Sequence, residues 1–307
     1  MKRRDFVKLT AAASGGFALL QSARSTSAAA GSAKMKLALS EISTVNAPFK
    51  EDLRAYKGAG FDAIGIWEMK LPKDDSVGDA LQASELAVAN CVPAVPSILP
   101  WNLKGMEGPR DPKERIDKIC ASMERLAKYK PAAVLVISGP LGKFRPDKGR
   151  EIVIDGLRQA MKAARAAGVR LGLEPIHPMQ HDTTSFVNTI TDAMEILKET
   201  GEDDLGIHAD TYNMWNEKPA DLAAIAARVT GLHVADVPKE PGRSDRVLPL
   251  EGGTKTFELV SALLKTGWTG ILDVEIFSTP ERFWGLPVDE AARRAKAADA
   301  ALRDKLT

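Results

Sequence analysis

The amino-acid sequence predicts an α/β protein built as a (β/α)₈ TIM barrel. After residue 31, short β-branched segments alternate eight times with segments of helical periodicity. This region spans about 270 residues, the size of eight βα units. Several helical segments also end at a glycine just before the next strand, where a left-handed C-cap belongs. A doubly wound open sheet is the alternative, but it usually has a glycine loop after its first strand, and residues 40–43 contain no glycine.

The individual elements follow from these patterns in chain order. The predicted strands are residues 35–42, 62–67, 92–97, 132–138, 169–174, 205–210, 232–236 and 271–276. The predicted helices between them include residues 49–58, 111–129, 149–167, 185–199 and 256–266. Because no low-complexity linker interrupts this series, we interpret residues 31–307 as one barrel domain.

Residues 1–30 have the features of a twin-arginine signal peptide. Arg3 and Arg4 lie in a basic start, a weakly apolar stretch follows, and small residues before position 31 offer a cleavage site. We therefore expect the twin-arginine translocation machinery to export the protein to the periplasm. A chance basic amphipathic helix is the alternative. The segment carries five basic residues and one acidic residue, so its removal changes the formal net charge from +1 to −3.

The composition limits the classes of protein to which the chain can belong. The chain has 307 residues and is 44% hydrophobic and 27% charged, as expected for a soluble globular protein and unlike disordered or collagen-like chains. The near-neutral charge argues against nucleic acid as a partner. The mature chain contains no uninterrupted run of about 18 apolar residues, so no membrane span is predicted in it. Cys91 and Cys120 lie in no metal-binding CxxC pair, and a disulfide between them stays open.

Four successive strands each deliver an ionisable side chain near their carboxyl end. These residues are Glu174, Asp210, His233 and Glu275. In a barrel the carboxyl ends of the strands meet at one mouth, where catalytic residues gather. An unpaired buried carboxylate is costly, and one divalent cation would remove that cost. Three oxygen donors and an imidazole suit Mn²⁺, Mg²⁺, Co²⁺ or Zn²⁺ equally. The alternative is that each residue is an isolated, hydrogen-bonded polar group.

Two further residues are candidates for supporting these ligands. His208 lies two positions before Asp210 and therefore faces the same side, where it either supports the metal site or fills a barrel layer. Asp236 follows His233 and is predicted either to orient that ring or to pair with a basic residue.

Several polar and aromatic residues after the strands are candidates for contacting a substrate. His177, Asn213 and Arg246 are placed to hold substrate oxygens, with a phosphate clamp or a surface ion pair as alternatives for Arg246. Trp67, Trp101 and Trp215 follow strands and offer flat walls for a sugar or cyclitol, with ordinary loop packing as the alternative. Glu68, beside Trp67, is a candidate for a hydroxyl contact.

Several motifs resemble the xylose isomerase-like barrel superfamily of sugar isomerases, epimerases and endonuclease IV. They are residues 173–178 (LEPIHP), 210–213 (DTYN), 233–238 (HVADVP), 245–249 (DRVLP) and 274–277 (VEIF). The third is similar to hydroxypyruvate isomerases and the last two to inosose (keto-inositol) isomerases. The resemblance covers the mature chain. It implies that Glu174, Asp210, His233 and Glu275 hold one metal ion and that the two glutamates also move protons.

The sequence departs from this superfamily at two positions. Asn213 stands where a histidine is common, and Val247 stands where the endonuclease has a metal-binding histidine. All four histidines lie at or after His177, so the nuclease's trinuclear site cannot be assembled. Together with the charge of the mature chain, this argues against DNA repair.

The expected function is that of a metal-dependent sugar or keto-cyclitol isomerase or epimerase. The two glutamates would move a proton through a metal-stabilised enediolate of a carbohydrate substrate. The alternatives are a lyase or hydrolase of keto-glycosides and a sugar-binding barrel without catalytic activity. Barrels of this kind often self-associate, so a homo-oligomer stays open.

Overall fold

The barrel predicted from the sequence is confirmed. The computed structural model describes residues 35–74, 76–103, 105–240 and 245–306. Within these residues, eight parallel strands pair in chain order and the last strand pairs with the first, which closes the sheet. The predicted signal peptide lies outside the described residues.

Strands and helices alternate along the described chain. The strands are β1 (Leu37–Ser40), β2 (Ala63–Trp67), β3 (Ala87–Val92), β4 (Ala133–Val136), β5 (Leu171–Leu173), β6 (Gly206–Asp210), β7 (Val229–Val234) and β8 (Leu272–Val274). The helices are α1 (Phe49–Ala59), α2 (Ser76–Ser84), α3 (Pro112–Ala127), α4 (Pro146–Ala167), α5 (Ile190–Thr200), α6 (Pro219–Ala224), α7 (Lys255–Leu264) and α8 (Val288–Leu306). Among these described helices, none is both long and apolar enough to cross a bilayer.

The third strand is the one element that the sequence analysis misplaced. It was predicted at residues 92–97, but it spans Ala87–Val92 and the predicted segment follows it as a loop. Pro93 and Pro96 lack the N–H group that a central strand needs, so the segment forms no continuous ladder and pairs only through an isolated bridge between Ser97 and Ile137. The observed strand contains the polar Asn90, which weakened its pattern.

Side chains alternate between the two faces of each strand. Leu37 and Leu39 belong to the main apolar core together with residues of the helices, whereas Ala38 belongs to a separate alanine cluster. Burial of the outer leucines against amphipathic helices stabilises the fold. Gly60 and Gly168 end α1 and α4 in the left-handed conformation, at φ of 83° and 72°, as predicted.

The barrel interior beneath the mouth contains polar side chains, and glycines in the strands leave space for them. A Cβ atom at Gly65 would lie 2.4 Å from Asp273 Oδ2, and one at Gly231 would lie 2.2 Å from Asn90 Oδ1 and 2.7 Å from His208 Nδ1. The missing side chains therefore leave space for polar groups between the strands. This polar layer lies directly behind the carboxyl ends of β6 to β8.

Candidate metal centre

Three of the four predicted metal ligands lie together at the ends of their strands. Glu174 directly follows β5, Asp210 is the last residue of β6, and His233 lies in β7. One donor atom from each of these side chains lies within 4.8 Å of the other two. All three residues are buried. Two carboxylate oxygens and an imidazole nitrogen at this spacing are a donor set for a divalent cation.

Glu275, the fourth predicted ligand, lies beside this group and has a different partner. It directly follows β8, and its Oε2 accepts a hydrogen bond from Arg246 Nη1 at 2.8 Å. The same oxygen lies 3.2 Å from His233 Nδ1. Within the described residues, the structure thus places Glu275 against His233 but outside the group of three.

Arg246 is a buried cation between two carboxylates. Its Nη1 lies 2.8 Å from Asp210 Oδ2 and 2.8 Å from Glu275 Oε2. The guanidinium carbon lies 4.8 Å from the ring centre of Tyr212 and 4.9 Å from that of Phe277. Burial by itself lowers the pKa of Arg246, but the two carboxylates raise it above its usual value. The residue therefore stays charged in the site and is not part of a surface ion pair.

The electrostatics of the group fit a bound cation. Burial, followed by the nearby charges of Asp210 and Glu275, raises the pKa of Glu174 to about 8. Burial alone lowers the pKa of His233, but Glu275 and other carboxylates raise it to about 10. The buried Nδ1 of His233 forms no hydrogen bond with any described residue, despite its proximity to Glu275. A cation would stabilise the ionised Glu174 and bind a neutral His233, so these residues fit a divalent metal.

Asn213 connects two of the predicted ligands. Its Nδ2 donates a hydrogen bond to Glu174 Oε1 at 2.9 Å and another to Asp210 Oδ2 at 3.1 Å. Its Oδ1 accepts from the backbone N–H of His177 at 3.5 Å. Asn213 also lines the cavity described below, but its N–H groups are donated to the two carboxylates, so its contact with a substrate stays a prediction. Its observed hydrogen bonds hold the carboxylates in place.

A polar layer lies behind His233 inside the barrel. The His208 ring lies edge-on to the His233 ring, with the centroids 4.4 Å apart, as expected from its spacing to Asp210. His233 Nε2 lies 3.7 Å from Asp273 Oδ2, and Asn90 Nδ2 donates to that oxygen at 3.1 Å. Burial, reinforced by His233, lowers the pKa of His208 well below its usual value. His208 is therefore neutral and packs against the predicted ligand.

His177 and Trp215 form a stacked pair after β5 and β6. Their ring centres are 5.1 Å apart and the planes differ by 17°. His177 Nδ1 accepts from the backbone N–H of Met179 at 3.1 Å, while its buried Nε2 has no hydrogen-bond partner among the described residues. Neither ring belongs to the described lining of the cavity. Their contact with a substrate therefore stays a prediction.

Glu68 has a structural role in place of the predicted hydroxyl contact. Its Oε2 accepts hydrogen bonds from the backbone N–H of Ala94 at 2.8 Å and from Ser122 Oγ at 2.6 Å. These bonds join the loops after β2 and β3 to α3. Trp67, the last residue of β2, packs against the apolar cluster at the barrel mouth and is not among the described lining residues.

Asp236 stabilises a turn and does not orient His233. Its Oδ2 accepts from the backbone N–H groups of Leu250 at 2.7 Å and Gly252 at 3.2 Å, and its Oδ1 accepts from Thr256 Oγ1. These partners lie just before and at the start of α7. Among the described residues, these contacts assign Asp236 to the β7–α7 connection in place of both predicted roles.

Glu174, one of the three candidate metal ligands, lines a cavity of about 500 Å³. Glu174, Asn213, Arg246 and Glu275 line one part of it, and the predicted Trp101 lines another. The cavity is also lined by a group of apolar residues that the sequence did not indicate, namely Ile42, Val92, Leu135, Ile137, Ile176, Leu103 and Met106. Ile176 lies two positions after Glu174, so period-two alternation continued beyond β5 indicates the same direction for both side chains.

Comparisons with known proteins agree with this architecture. The family model described as "Xylose isomerase-like TIM barrel" matches residues 53–303. Inosose isomerase of Bacillus velezensis is 28% identical over 290 residues, which cover 88% of this chain and 98% of that protein.

Two solved structures share the fold. The structure described as the IolI protein with a bound zinc atom has 24% identity and a TM-score of 0.73, covering 89% of this chain and 99% of its own. The 3-keto-D-glucoside 4-epimerase YcjR of E. coli has 21% identity and a TM-score of 0.68, covering 88% of this chain and 100% of its own. The family match covers most of the chain, and the chain therefore belongs to the xylose isomerase-like TIM barrel family, which includes sugar isomerases and epimerases.

Proposed function

We propose that the protein is a metal-dependent isomerase or epimerase acting on a sugar or keto-cyclitol. The observation that carries this proposal is the buried group formed by Glu174, Asp210 and His233, with Glu275 beside it. The relatives named inosose isomerase and L-ribulose 3-epimerase support the same reaction class. Both reactions move a proton at a carbon next to a carbonyl group.

The chain's own residues have separate tasks in this reaction. Glu174 and Glu275 both line the cavity, so one accepts the proton from the carbon beside the carbonyl and the other returns a proton. Return to the same carbon gives epimerisation, and return to the neighbouring carbon gives isomerisation. Arg246 lines the cavity and has five N–H donors, so it can donate to substrate oxygens, whereas Asn213 donates to Glu174 and Asp210 and holds them in place.

The metal would be held by Glu174, Asp210 and His233, with Glu275 as the further ligand that the sequence predicts. When bound, its positive charge would stabilise the negative charge that develops on the substrate oxygens. Mn²⁺, Mg²⁺, Co²⁺ and Zn²⁺ all suit this donor set. Elemental analysis of the purified protein identifies which of them is present.

Solvent deuterium exchange tests the reaction directly. The metal-loaded protein is incubated with an inosose and with L-ribulose in D₂O, and the recovered compounds are analysed by mass spectrometry. We expect deuterium at the carbon next to the carbonyl with the natural protein and essentially none with Glu174→Gln or Glu275→Gln. Unchanged circular dichroism of the variants would show that the fold is intact. Exchange at the natural rate in both variants would refute the roles of the glutamates.

A second reaction on the same site is elimination from a keto-glycoside. Removal of the same proton can expel a substituent from the neighbouring carbon instead of being followed by proton return. The apolar part of the cavity favours this candidate, because it suits an aglycone. A released aglycone in the exchange experiment indicates elimination, whereas binding without exchange indicates a non-catalytic barrel.

We also propose that the protein is exported. The proposal rests on Arg3 and Arg4 within the predicted signal of residues 1–30. Cell fractionation of the natural chain and of the double variant Arg3→Lys/Arg4→Lys tests it. The natural chain should appear in the periplasm and the variant should stay in the cytoplasm. Sedimentation of the same material tests the predicted self-association.

A further inference from the structure

The cavity at the barrel mouth has two chemically different halves. One half is polar and contains Glu174, Asn213, Arg246 and Glu275, and the polar side chains of Gln180, Thr184 and Tyr212 also line the cavity. The other half, which we call the apolar wall, is formed by strand-end residues and by the loop after β3. Its members are Ile42, Val92, Leu135, Ile137, Ile176, Trp101, Leu103 and Met106.

Most polar atoms near the apolar wall already have partners within the protein. Trp101 Nε1 donates to the backbone oxygen of Met106 at 2.6 Å. Trp284, which packs against the same cluster, donates its Nε1 to the backbone oxygen of Ile42 at 2.8 Å. Among the described residues of this cluster, Trp67 Nε1 is buried without an acceptor. The wall thus offers a ligand a large apolar surface and few hydrogen bonds.

An unsubstituted ketose or inosose matches this surface poorly. Such a molecule carries a hydroxyl group on nearly every carbon, and each hydroxyl that loses water without gaining a partner lowers the affinity about tenfold. An apolar substituent in the same place gains affinity through its burial. A cavity of about 500 Å³ lies in the range of sites that hold ligands larger than one sugar ring.

We propose that the substrate is a keto-sugar that carries an apolar substituent of about the size of a phenyl ring. Its hydroxyketone end lies beside Glu174 and Glu275, and its substituent packs against the apolar wall, including Leu135 and Met106. This inference rests on the proposed function for the reactive end. It adds the chemical class of the remainder of the substrate.

Two glycosides that differ only in the substituent test the inference. The metal-loaded full chain is titrated calorimetrically with methyl and with phenyl 3-keto-β-D-glucoside. We expect the phenyl compound to bind at least about tenfold more tightly, because the ring buries apolar area that the methyl group cannot. Equal affinity, tighter binding of the methyl compound or no binding of either compound would overturn the inference.

A pair of methionine variants tests where the substituent lies. Met106 lines the cavity from the loop after β3, whereas Met69 is 45% exposed and lies outside the described lining. Met106→Ser should reduce the preference for the phenyl compound at least about threefold, by loss of apolar contact. Met69→Ser, the matched control, should keep the full preference. An unchanged preference in Met106→Ser would contradict the assignment of the substituent to this wall.

Deuterium incorporation into the same two glycosides separates this inference from the proposed function. If neither glycoside exchanges but the phenyl compound binds more tightly, the substrate class is supported and the proposed proton transfer is refuted. If both glycosides exchange and bind equally, the proton transfer is supported and the substrate class is refuted.

Discussion

At the scale of single residues, Asn213 shows how one amide can organise two acidic groups. Its Nδ2 donates to both Glu174 and Asp210, so the two carboxylates share one donor. The superfamily resemblance places a histidine at this position, which also has an N–H group. The shared property is a neutral donor between carboxylates that would otherwise repel each other.

Removal of this donor should weaken the candidate metal site. Asn213→Leu removes both hydrogen bonds without adding a charge, so the two carboxylates lose the group that orients them. We expect metal affinity to fall by about 10- to 100-fold, the usual effect of losing a group that orients metal ligands. Competition with a metallochromic chelator measures this change. Asn213→His, which restores a donor, should recover part of the affinity, and equal affinities for all three proteins would show that Asn213 has no orienting role.

At the scale of structural elements, Arg115 holds the loop that contributes part of the apolar wall. This residue of α3 is fully buried, and its Nε donates to the backbone oxygen of Ser97 at 2.7 Å. Its Nη1 donates to the backbone oxygens of Glu107 at 2.7 Å and Pro109 at 2.8 Å. Burial lowers the pKa of Arg115 to about 10, so the side chain is still charged at neutral pH.

The loop should lose its fixed position when these bonds are removed. Arg115→Met leaves three backbone oxygens without their donor, and we expect the free energy of unfolding to fall by about 3 kcal/mol or more. The loop carries Trp101 and Met106, so KM for the phenyl compound should rise as well. Urea unfolding and steady-state kinetics measure both effects. Arg110→Met, an exposed substitution in the same loop, should change neither quantity, and a similar loss in both variants would contradict the anchoring role.

Helix α8 contains a buried acid that should make stability depend on pH. Asp299 is fully buried, and neither of its carboxylate oxygens has a hydrogen-bond partner among the described residues. Burial raises the pKa of Asp299 well above its usual value, although Lys296 opposes the shift. The folded state therefore keeps a proton that the unfolded chain loses above about pH 4. As a result, the contribution of this group to stability falls as the pH rises from that point.

Asp299→Asn removes this dependence. We expect the variant and the natural protein to be similarly stable near pH 4 and the variant to be more stable by at least about 1 kcal/mol at pH 8. Asp289→Asn on the same helix gives the opposite sign, because the Arg54 ion pair lowers the pKa of this exposed acid. Chemical unfolding at both pH values measures the two differences. A stability gain in Asp299→Asn that is the same at both pH values would rule out the buried charge as its cause.

At the scale of the whole molecule, the alternation of strand and helix segments was sufficient to predict the barrel. The polar residues at the strand ends predicted a group of four, of which Glu174, Asp210 and His233 lie together and Glu275 lies beside them. The roles of Glu68 and Asp236 were predicted wrongly, because both carboxylates accept hydrogen bonds from backbone N–H groups of loops. No sequence pattern near either residue identifies these N–H groups. Pro93 and Pro96 mark the end of the third strand, but the sequence does not show whether the sheet contains the residues before them or the residues after them. The apolar wall was missed because a strand-end isoleucine such as Ile176 resembles ordinary core.

The metal should also stabilise the whole barrel, because its predicted ligands come from successive strands that meet only in the folded chain. A cation at 100 times its dissociation constant adds about 2.7 kcal/mol to the free energy of unfolding. For a domain of this size we expect Tm to rise by about 5–10 °C. Calorimetry with and without a chelator measures this increment. Asp210→Asn should abolish most of it, whereas Asp236→Asn should lower Tm but keep the increment, because Asp236 binds backbone groups of a turn. An increment that survives in Asp210→Asn would place the cation elsewhere in the molecule.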